Sequence, residues 1–284
     1  TGWINIGGNV GLMTGVDSIG VRMRAPIGDQ RIEIRNVSLS VDDPGDAYLG
    51  NRPAVDEFGQ SNLVKWPDKV SSLKQLRRRW QKEEQESIST TELYGYSKYG
   101  GYLAHRYDQG TGYFRTAQVD GRWWFVDPEG YLFLSVGVDC VYTLGGGDVR
   151  DVEKREGMLG ILPPERFMSK GRGGTTTARY ALWNRERRFG DDAEEKAAEL
   201  AFKRMDKWGV NTIGNWSDKN LERQGRKAIT CTFYPAGADS RLMGLGDVYG
   251  DHFKERLRES LQRTIAPHRD NPWLIGYFMG NEPS

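Results

Sequence analysis

The sequence predicts an α/β protein: the first half of a (β/α)8 TIM barrel, preceded by part of a β-sandwich. Three observations carry that expectation. Residues 21–39 alternate apolar and polar side chains around Gly28-Asp29, which is a hairpin pattern. From Tyr131 onward, short apolar runs alternate with stretches of helical periodicity, an order that implies parallel strands joined by helical crossovers. The last apolar run, "NPWLIGYFMGNEPS" (271–284), turns polar at Asn281-Glu282, and barrel strands carry their functional side chains at their C-terminal ends.

Residues 1–43 read as the end of the sandwich. "SIGVRMRAP" sets Val21, Met23 and Ala25 on one face, and "QRIEIRNVSLSV" does the same with Ile32, Ile34, Val37 and Leu39. So few strands are thin for an independent sheet. The chain starts at Thr1 rather than Met, so a removed leader or an excerpt is expected.

Residues 44–111 read as a linker with a helix. Gly, Pro and Asp punctuate 44–66, and from Asp68 the apolar residues Val70, Leu73, Leu76 and Trp80 recur at helical spacing. The run Arg77-Arg78-Arg79 is followed by Glu83, Glu84 and Glu86. That pattern suits a solvated helix face with opposite charges nearby better than a basic binding patch.

Residues 112–284 read as the N-terminal half of the barrel. Turns at Asp120-Gly121 and Asp127-Pro128-Glu129-Gly130 separate strands at 113–119, 122–126 and 131–138. The third is nearly continuously apolar, as for a strand buried on both faces. A Gly- and Arg-rich insertion follows at 143–189. Asp191 or Asp192 then caps a helix whose stripe is Ala197, Leu200, Ala201, Met205 and Trp208, with Gly209 as its stop. "VNTIGNW" is a strand, Ser217 caps a short helix to Arg226, and "AITCTFYP" is the next strand. Phe253, Leu257, Leu261 and Ile265 line the last helix, Pro267 ends it, and "WLIGYFMGNE" is the final strand. A doubly wound sheet and a barrel both accommodate this order. The glycine-rich "LGGGDVR" (144–150) is not the G-x-G-x-x-G of a nucleotide site, so the barrel is preferred.

Composition narrows the function. Lys and Arg total 40 against 39 Asp and Glu, a net charge of +1, which gives no reason to expect nucleic acid or an anionic membrane as partner. No apolar run reaches the ~18 residues of a membrane span. Cys140 and Cys231 lack metal-ligand spacing and are expected to be buried free thiols. His105, His252 and His268 are scattered, so no metal site or other cofactor is expected. Nine Trp and thirteen Tyr favour carbohydrate, because aromatic faces stack on the apolar faces of sugar rings. Oligomeric state leaves no signal.

The strand tips supply the chemistry. The first presents Asp139, with Cys140 and Tyr142 behind it. The second presents Asn215-Trp216, the third Phe233-Tyr234-Pro235 and the fourth Asn281-Glu282-Pro283. Carboxylates, amides and aromatics suit a neutral polyhydroxylated substrate. Cleavage of a glycosidic bond needs two carboxyl groups, about 5–5.5 Å apart in retaining enzymes. A Glu at an apolar strand tip is partly desolvated, which raises its pKa toward that of a general acid. Pro283 restrains Glu282 to an extended conformation. In the insertion, Trp183, Tyr180 and Arg185 either line a sugar subsite or belong to a glycine-loosened surface loop.

"DNPWLIGYFMGNEP" resembles the fourth-strand motif of clan A glycoside hydrolases. The resemblance implies Glu282 as acid/base and Asn281 as the neighbour that binds the substrate's 2-hydroxyl. "GRWWFVDPEGYLFLSVGVDCV" resembles the first-strand region of family 50 β-agarases and their relatives, which also place a carbohydrate-module-like β-sandwich before the barrel. The likeness covers 112–142 and 191–284. It implies a polysaccharide substrate, probed first as an agarose-type galactan, cleaved by a retaining double displacement in a secreted or periplasmic enzyme. That clan's nucleophile is a second Glu ending the seventh strand. This sequence stops after the fourth, so the nucleophile is expected beyond Ser284. Glu129, Glu153, Glu156 and Glu165 precede the first strand or lie in the insertion. The alternatives are a non-catalytic carbohydrate-binding barrel protein and a nucleotide-binding α/β protein.

Overall fold

The computed structural model describes Arg31, Glu33 and residues 53–86, 94–143, 148–171, 174–234, 241–242 and 245–281. The chain divides into two compact units, Thr1–Gly45 and Asp46–Ser284. The expected sandwich strands of residues 1–43, Arg31 and Glu33 apart, lie outside the described residues, as does the glycine run 144–147.

In the second unit, helix α1 spans Leu73–Gln85, and Ser72 caps it by accepting from the Gln75 amide. Strands β1 (Arg115–Val119), β2 (Arg122–Val126) and β3 (Leu132–Phe133) form an antiparallel meander. The run 131–138 is not one strand. Leu132–Phe133 pairs with β2, and a separate strand β4, Gly137–Val138, runs parallel to β8, Thr212–Ile213. Nor is it buried on both faces: Leu134, Val136 and Val138 are all exposed. Apolar continuity could not reveal a change of sheet, because β3 pairs with its neighbour β2 while the partner of β4, β8, is distant in sequence.

The insertion is folded. It contributes β5 (Asp148–Val149), β6 (Met168–Lys170) and β7 (Thr176–Arg179), a small antiparallel sheet in the order β5-β7-β6. Helix α2, Tyr180–Phe189, follows. Val152, Leu159, Ala178 and Tyr180 form its core, with Val55 and Trp183 packed against them. Residues 53–62, read from sequence within a linker, fold onto this core. Val55 N–H donates to Met158 O at 3.1 Å, and Gly160 N–H donates back to Val55 O at 2.9 Å.

Helix α3, Ala193–Lys207, carries the expected Ala197, Leu200 and Met205 inward, but its most buried residue is Phe202. Trp208 is not in the stripe and is 62% exposed. Asp192 stands at the N-cap without a side-chain cap bond and pairs with Lys196 instead. Gly209, at φ +68°, takes the left-handed turn that stops the helix. Helix α4, Lys219–Arg223, is capped by Asp218, not by Ser217. Ser217 Oγ is engaged elsewhere, accepting from Val141 N–H and donating to Gly214 O. Strand β9 is Ala228–Phe233, a short hairpin β10 (Arg241–Leu242) and β11 (Leu245–Gly246) follows, then α5 (Phe253–Thr264) and β12 (Leu274–Met279).

The main sheet is parallel, in the order β4-β8-β9-β12. Sheet order follows chain order throughout. A doubly wound sheet reverses at a switch point where nucleotides bind, and the described strands have no such reversal. On the helix-covered face, Ala198, Phe202, Met205 and Val210 pack with Leu221 of α4 and with Ile213, Ile229 and Cys231 of the strands. Each such side chain contributes roughly 1.5–3 kcal/mol over exposure. Alternation along the strands turns Thr212, Thr230 and Thr232 to the opposite face. No helix among the described residues is long and apolar enough to cross a membrane.

Candidate functional site

The C-terminal ends of the four parallel strands are tied together by side chains. At the tip of β4, Asp139 Oδ1 accepts from the Asn215 backbone N–H at 2.7 Å, and Asn215 O accepts from Cys140 N–H at 2.9 Å. This reciprocal pair fixes β4 against β8 beyond their two-residue ladder. It needs Gly214: a Cβ there would lie 2.0 Å from Asp139 Oδ1. Asn215 is buried, and its Oδ1 accepts from Thr230 Oγ1 of β9 at 3.2 Å. Trp216 follows at φ +58° with 40% of its surface exposed. Its indole Nε1–H donates to the Tyr234 hydroxyl at 3.3 Å, which joins the β8 and β9 tips through two exposed aromatics. Gly280 N–H donates to Phe233 O at 2.8 Å, and Asn281 lies exposed in the bend just after β12.

Five expected site residues, Asp139, Asn215, Trp216, Tyr234 and Asn281, therefore sit at the same end of one sheet. Glu282 lies outside the described residues, as does Pro235. Trp183 is elsewhere: its ring packs into the insertion's core, and the Arg187 guanidinium stacks on it at 3.3 Å from the ring centre. Cys140 is exposed rather than buried, because it forms the turn after β4 at φ +57° instead of continuing the strand. Cys231 is buried as expected, and burial pushes its thiol pKa up, with the Glu222 charge adding to the shift.

Sequence reasoning missed the layer behind the tips. Asp218 Oδ2 accepts from Thr143 Oγ1 at 2.6 Å, and Asp218 N–H donates to Val141 O at 2.8 Å, so the loop after β4 is pinned to the start of α4. Burial works to raise the Asp218 pKa, but the bonds from Thr143 and Asn220 and the charge of Arg185 outweigh it, and the carboxyl sits below its ordinary value. Beside this loop is a cavity of about 330 Å³, walled by Tyr142 and Thr143, by Tyr180 and Arg185 of α2, and by Trp80 of α1. Tyr180 and Arg185 had been singled out in the sequence. Trp80 had been read only as part of the apolar stripe of the helix from Asp68, since it lies about a hundred positions away and no local pattern links it to them.

Comparison with known proteins finds β-agarases. The chain is 27% identical to β-agarase B of Vibrio sp. strain JT0107 across 92% of its own length, and 26% identical to β-agarase A of the same strain across 81%. Among solved structures, the agarase AgWH50C superposes with a TM-score of 0.70 at 26% identity over 84% of this chain. An exo-β-agarase gives 0.68 at 25% identity over 82%. The chain is a relative of the family 50 β-agarases. It spans 31% of the length of β-agarase B and 26% of that of β-agarase A, and 39% of each of the two solved agarase chains. No family model matches it.

Proposed function

We propose that this chain carries the first half of the (β/α)8 barrel of a secreted or periplasmic glycoside hydrolase that cleaves the β-glycosidic bonds of an agarose-type galactan with retention. The observation that carries the reading is the convergence of Asp139, Asn215, Trp216, Tyr234 and Asn281 at the C-terminal end of a parallel sheet whose order follows the chain. The relationship to β-agarases supports the substrate class. In this reading residues 112–284 belong to the barrel, 44–111 lead into it, and 1–43 end a carbohydrate-module-like sandwich.

Glu282 follows Asn281 directly in sequence and serves as acid/base. It protonates the leaving oxygen while a second carboxylate, supplied outside this chain, attacks the anomeric carbon. It then deprotonates the water that releases the glycosyl-enzyme. Asn281 binds the 2-hydroxyl of the reacting sugar. Trp216 and Tyr234 offer aromatic faces for neighbouring rings, and Asp139 and Asn215 hold the tips to which those rings dock. The test is Glu282→Gln in the full-length protein. Turnover of agarose should fall by ~10²–10⁴, the usual contribution of a general acid, with the melting transition unchanged. Near-normal turnover overturns the assignment, and agarose binding without cleavage by the unaltered protein favours a binding barrel instead.

A further inference from the structure

The cavity behind the β4 tip has a charge character that a neutral galactan does not explain. Three arginines, Arg185, Arg188 and Arg204, line it, and no Asp or Glu does among the described residues. Two of the three are compensated from outside. Glu83 of α1 pairs with Arg188 at 2.9 Å and also with Arg204, and Glu84 approaches Arg188 at 3.6 Å. Arg188 and Arg185 both keep buried donors without a hydrogen-bond partner, Nε and Nη2 in the first and Nε and Nη1 in the second, but Arg185 has no ion pair among the described residues. Its charge nevertheless reaches Asp218, whose carboxyl it helps to hold low. A guanidinium cannot neutralise itself by losing a proton, so buried donors left unmatched on it are unfavourable. Such an arrangement persists where a ligand completes it.

We infer that this cavity is a subsite for an anionic substituent, a sulfate half-ester or carboxylate, on the polysaccharide, with Arg185 as its principal contact. The inference rests on the galactan reading above and names a feature of the substrate that reading leaves open. Nε and Nη1 of Arg185 are the unmatched donors; they lie on different edges of the guanidinium, so an oxyanion takes a charge-assisted hydrogen bond from one of them. Trp80 and Tyr180 supply aromatic walls, and Tyr142 and Thr143 belong to the loop that leaves Asp139. An oxyanion held at Arg185 therefore lies on a chain that continues toward the strand tips. At about 330 Å³ the space is at the lower end of the ~300–1,000 Å³ of small-molecule sites, suitable for one substituted sugar residue rather than several.

The test compares the full-length protein with its Arg185→Gln variant against three probes: inorganic sulfate, a neutral agaro-oligosaccharide, and a sulfated galacto-oligosaccharide of the same length, by calorimetric titration at low salt. The sulfated oligosaccharide should bind at least tenfold more tightly than the neutral one. Arg185→Gln should abolish that preference and leave neutral binding unchanged, and 0.5 M NaCl should weaken it in the unaltered protein. Without ligand, Arg185→Gln should leave the melting temperature nearly unchanged, because the two unmatched donors it removes offset the lost charge interaction with Asp218, whereas loss of a structural arginine would lower it. If the variant does not fold, Arg185→Lys keeps the charge but not the guanidinium donors and should retain only part of the preference. Equal binding of neutral and sulfated chains overturns the inference while leaving the galactan reading intact. Binding of free sulfate with no gain for the sulfated chain overturns it in favour of a simple ion site. Failure of every galactan to bind overturns both.

Discussion

Asn211 ties the start of β8 to two other segments of the chain. It immediately precedes β8 and is 2% exposed. Its Nδ2 donates to Gly100 O at 3.1 Å and Leu134 O at 2.9 Å. Its Oδ1 accepts from Val136 N–H at 2.8 Å and from Thr212 Oγ1 at 3.0 Å. One amide thus joins the 94–107 segment, the run between the meander and β4, and the start of β8. Asn211→Ala deletes all four bonds. The Thr212 hydroxyl retains Ser135 Oγ at 2.9 Å, so its share is small. The other three leave two carbonyls and one N–H unmatched, at about 1–3 kcal/mol each if they stay dry. The bonds at Leu134 and Val136 are only part-buried, which places those two toward the lower limit. The sum is about 3–5 kcal/mol, a large part of the ~5–15 kcal/mol that holds a domain together. Asn211→Asp should cost at least as much, because it sets a carboxylate against two carbonyl oxygens. Urea titration followed by tryptophan fluorescence reads the change as a shift of midpoint at constant slope. A loss below ~1 kcal/mol for Asn211→Ala would refute the reasoning, since it would mean that water replaces the amide and that the junction is held by something else.

Three other outcomes follow from the same geometry. A thiol reagent should modify one cysteine per native chain, Cys140, and reach Cys231 only on unfolding, because the first is exposed and the second buried with a raised pKa; mass spectrometry of labelled peptides checks this, and rapid native labelling of Cys231 would contradict the packing. Gly214→Ala should displace Asp139 from the Asn215 amide, because the new Cβ would stand 2.0 Å from Oδ1; turnover in the full-length protein should drop at least tenfold, and an unaffected variant would show that the pair does not set the tip. Burial works to raise the Glu83 pKa, but its bonds and charge interactions with Arg204 and Arg188 hold it below the ordinary 4.5. A carboxyl depressed in the folded state stabilises above its unfolded value and loses that contribution as pH falls through the folded one, so the unfolding midpoint should drop less steeply below about pH 4.5 in Glu83→Gln than in the unaltered protein.

The parts legible in the sequence were those with a local cause. Helical spacing located α1, α3 and α5, turn residues located β1 and β2, and the alternation of element types gave a parallel sheet. What escaped had either a competing local contact or a distant cause. Trp208 has the right spacing for the stripe of α3, but the helix ends at Lys207 and the next residue swings out. Asp192 has a capping side chain, yet Lys196 one turn on attracts its carboxylate. The basic run of α1 was read as a solvated face with opposite charges nearby, and Arg77 and Arg78 are exposed. Glu83, Glu84 and Glu86 also meet Arg188, Arg204 and Lys207 from α2 and α3, partners that no window of the sequence can contain. Residues 53–62 have the composition of a linker because they lack periodicity, but an irregular segment packs well when its backbone groups find partners, and Asp56 alone accepts from Phe58 N–H, Gln60 N–H and the Gln60 amide.

The tip residues also carry information that composition hides. Cys140 and Trp216 are both in the left-handed region, at φ +57° and +58°, although neither is the Gly or Asn that adopts it at low cost. The conformation costs a non-glycine residue about 1–2 kcal/mol, and it is offset locally at Cys140 by the amide bond to Asn215 O. At Trp216 the strained backbone carries a large side chain that stays 40% exposed, so burial does not explain why a bulky residue stands where glycine would be easier. Its indole is instead aligned beside Tyr234 through the Nε1–H bond, at the end of the sheet where Asp139 and Asn281 also lie. Strain of this kind gathers where a side chain must face a ligand. Within the proposed function it favours Trp216, over the half-buried Trp183, as the aromatic that meets the substrate.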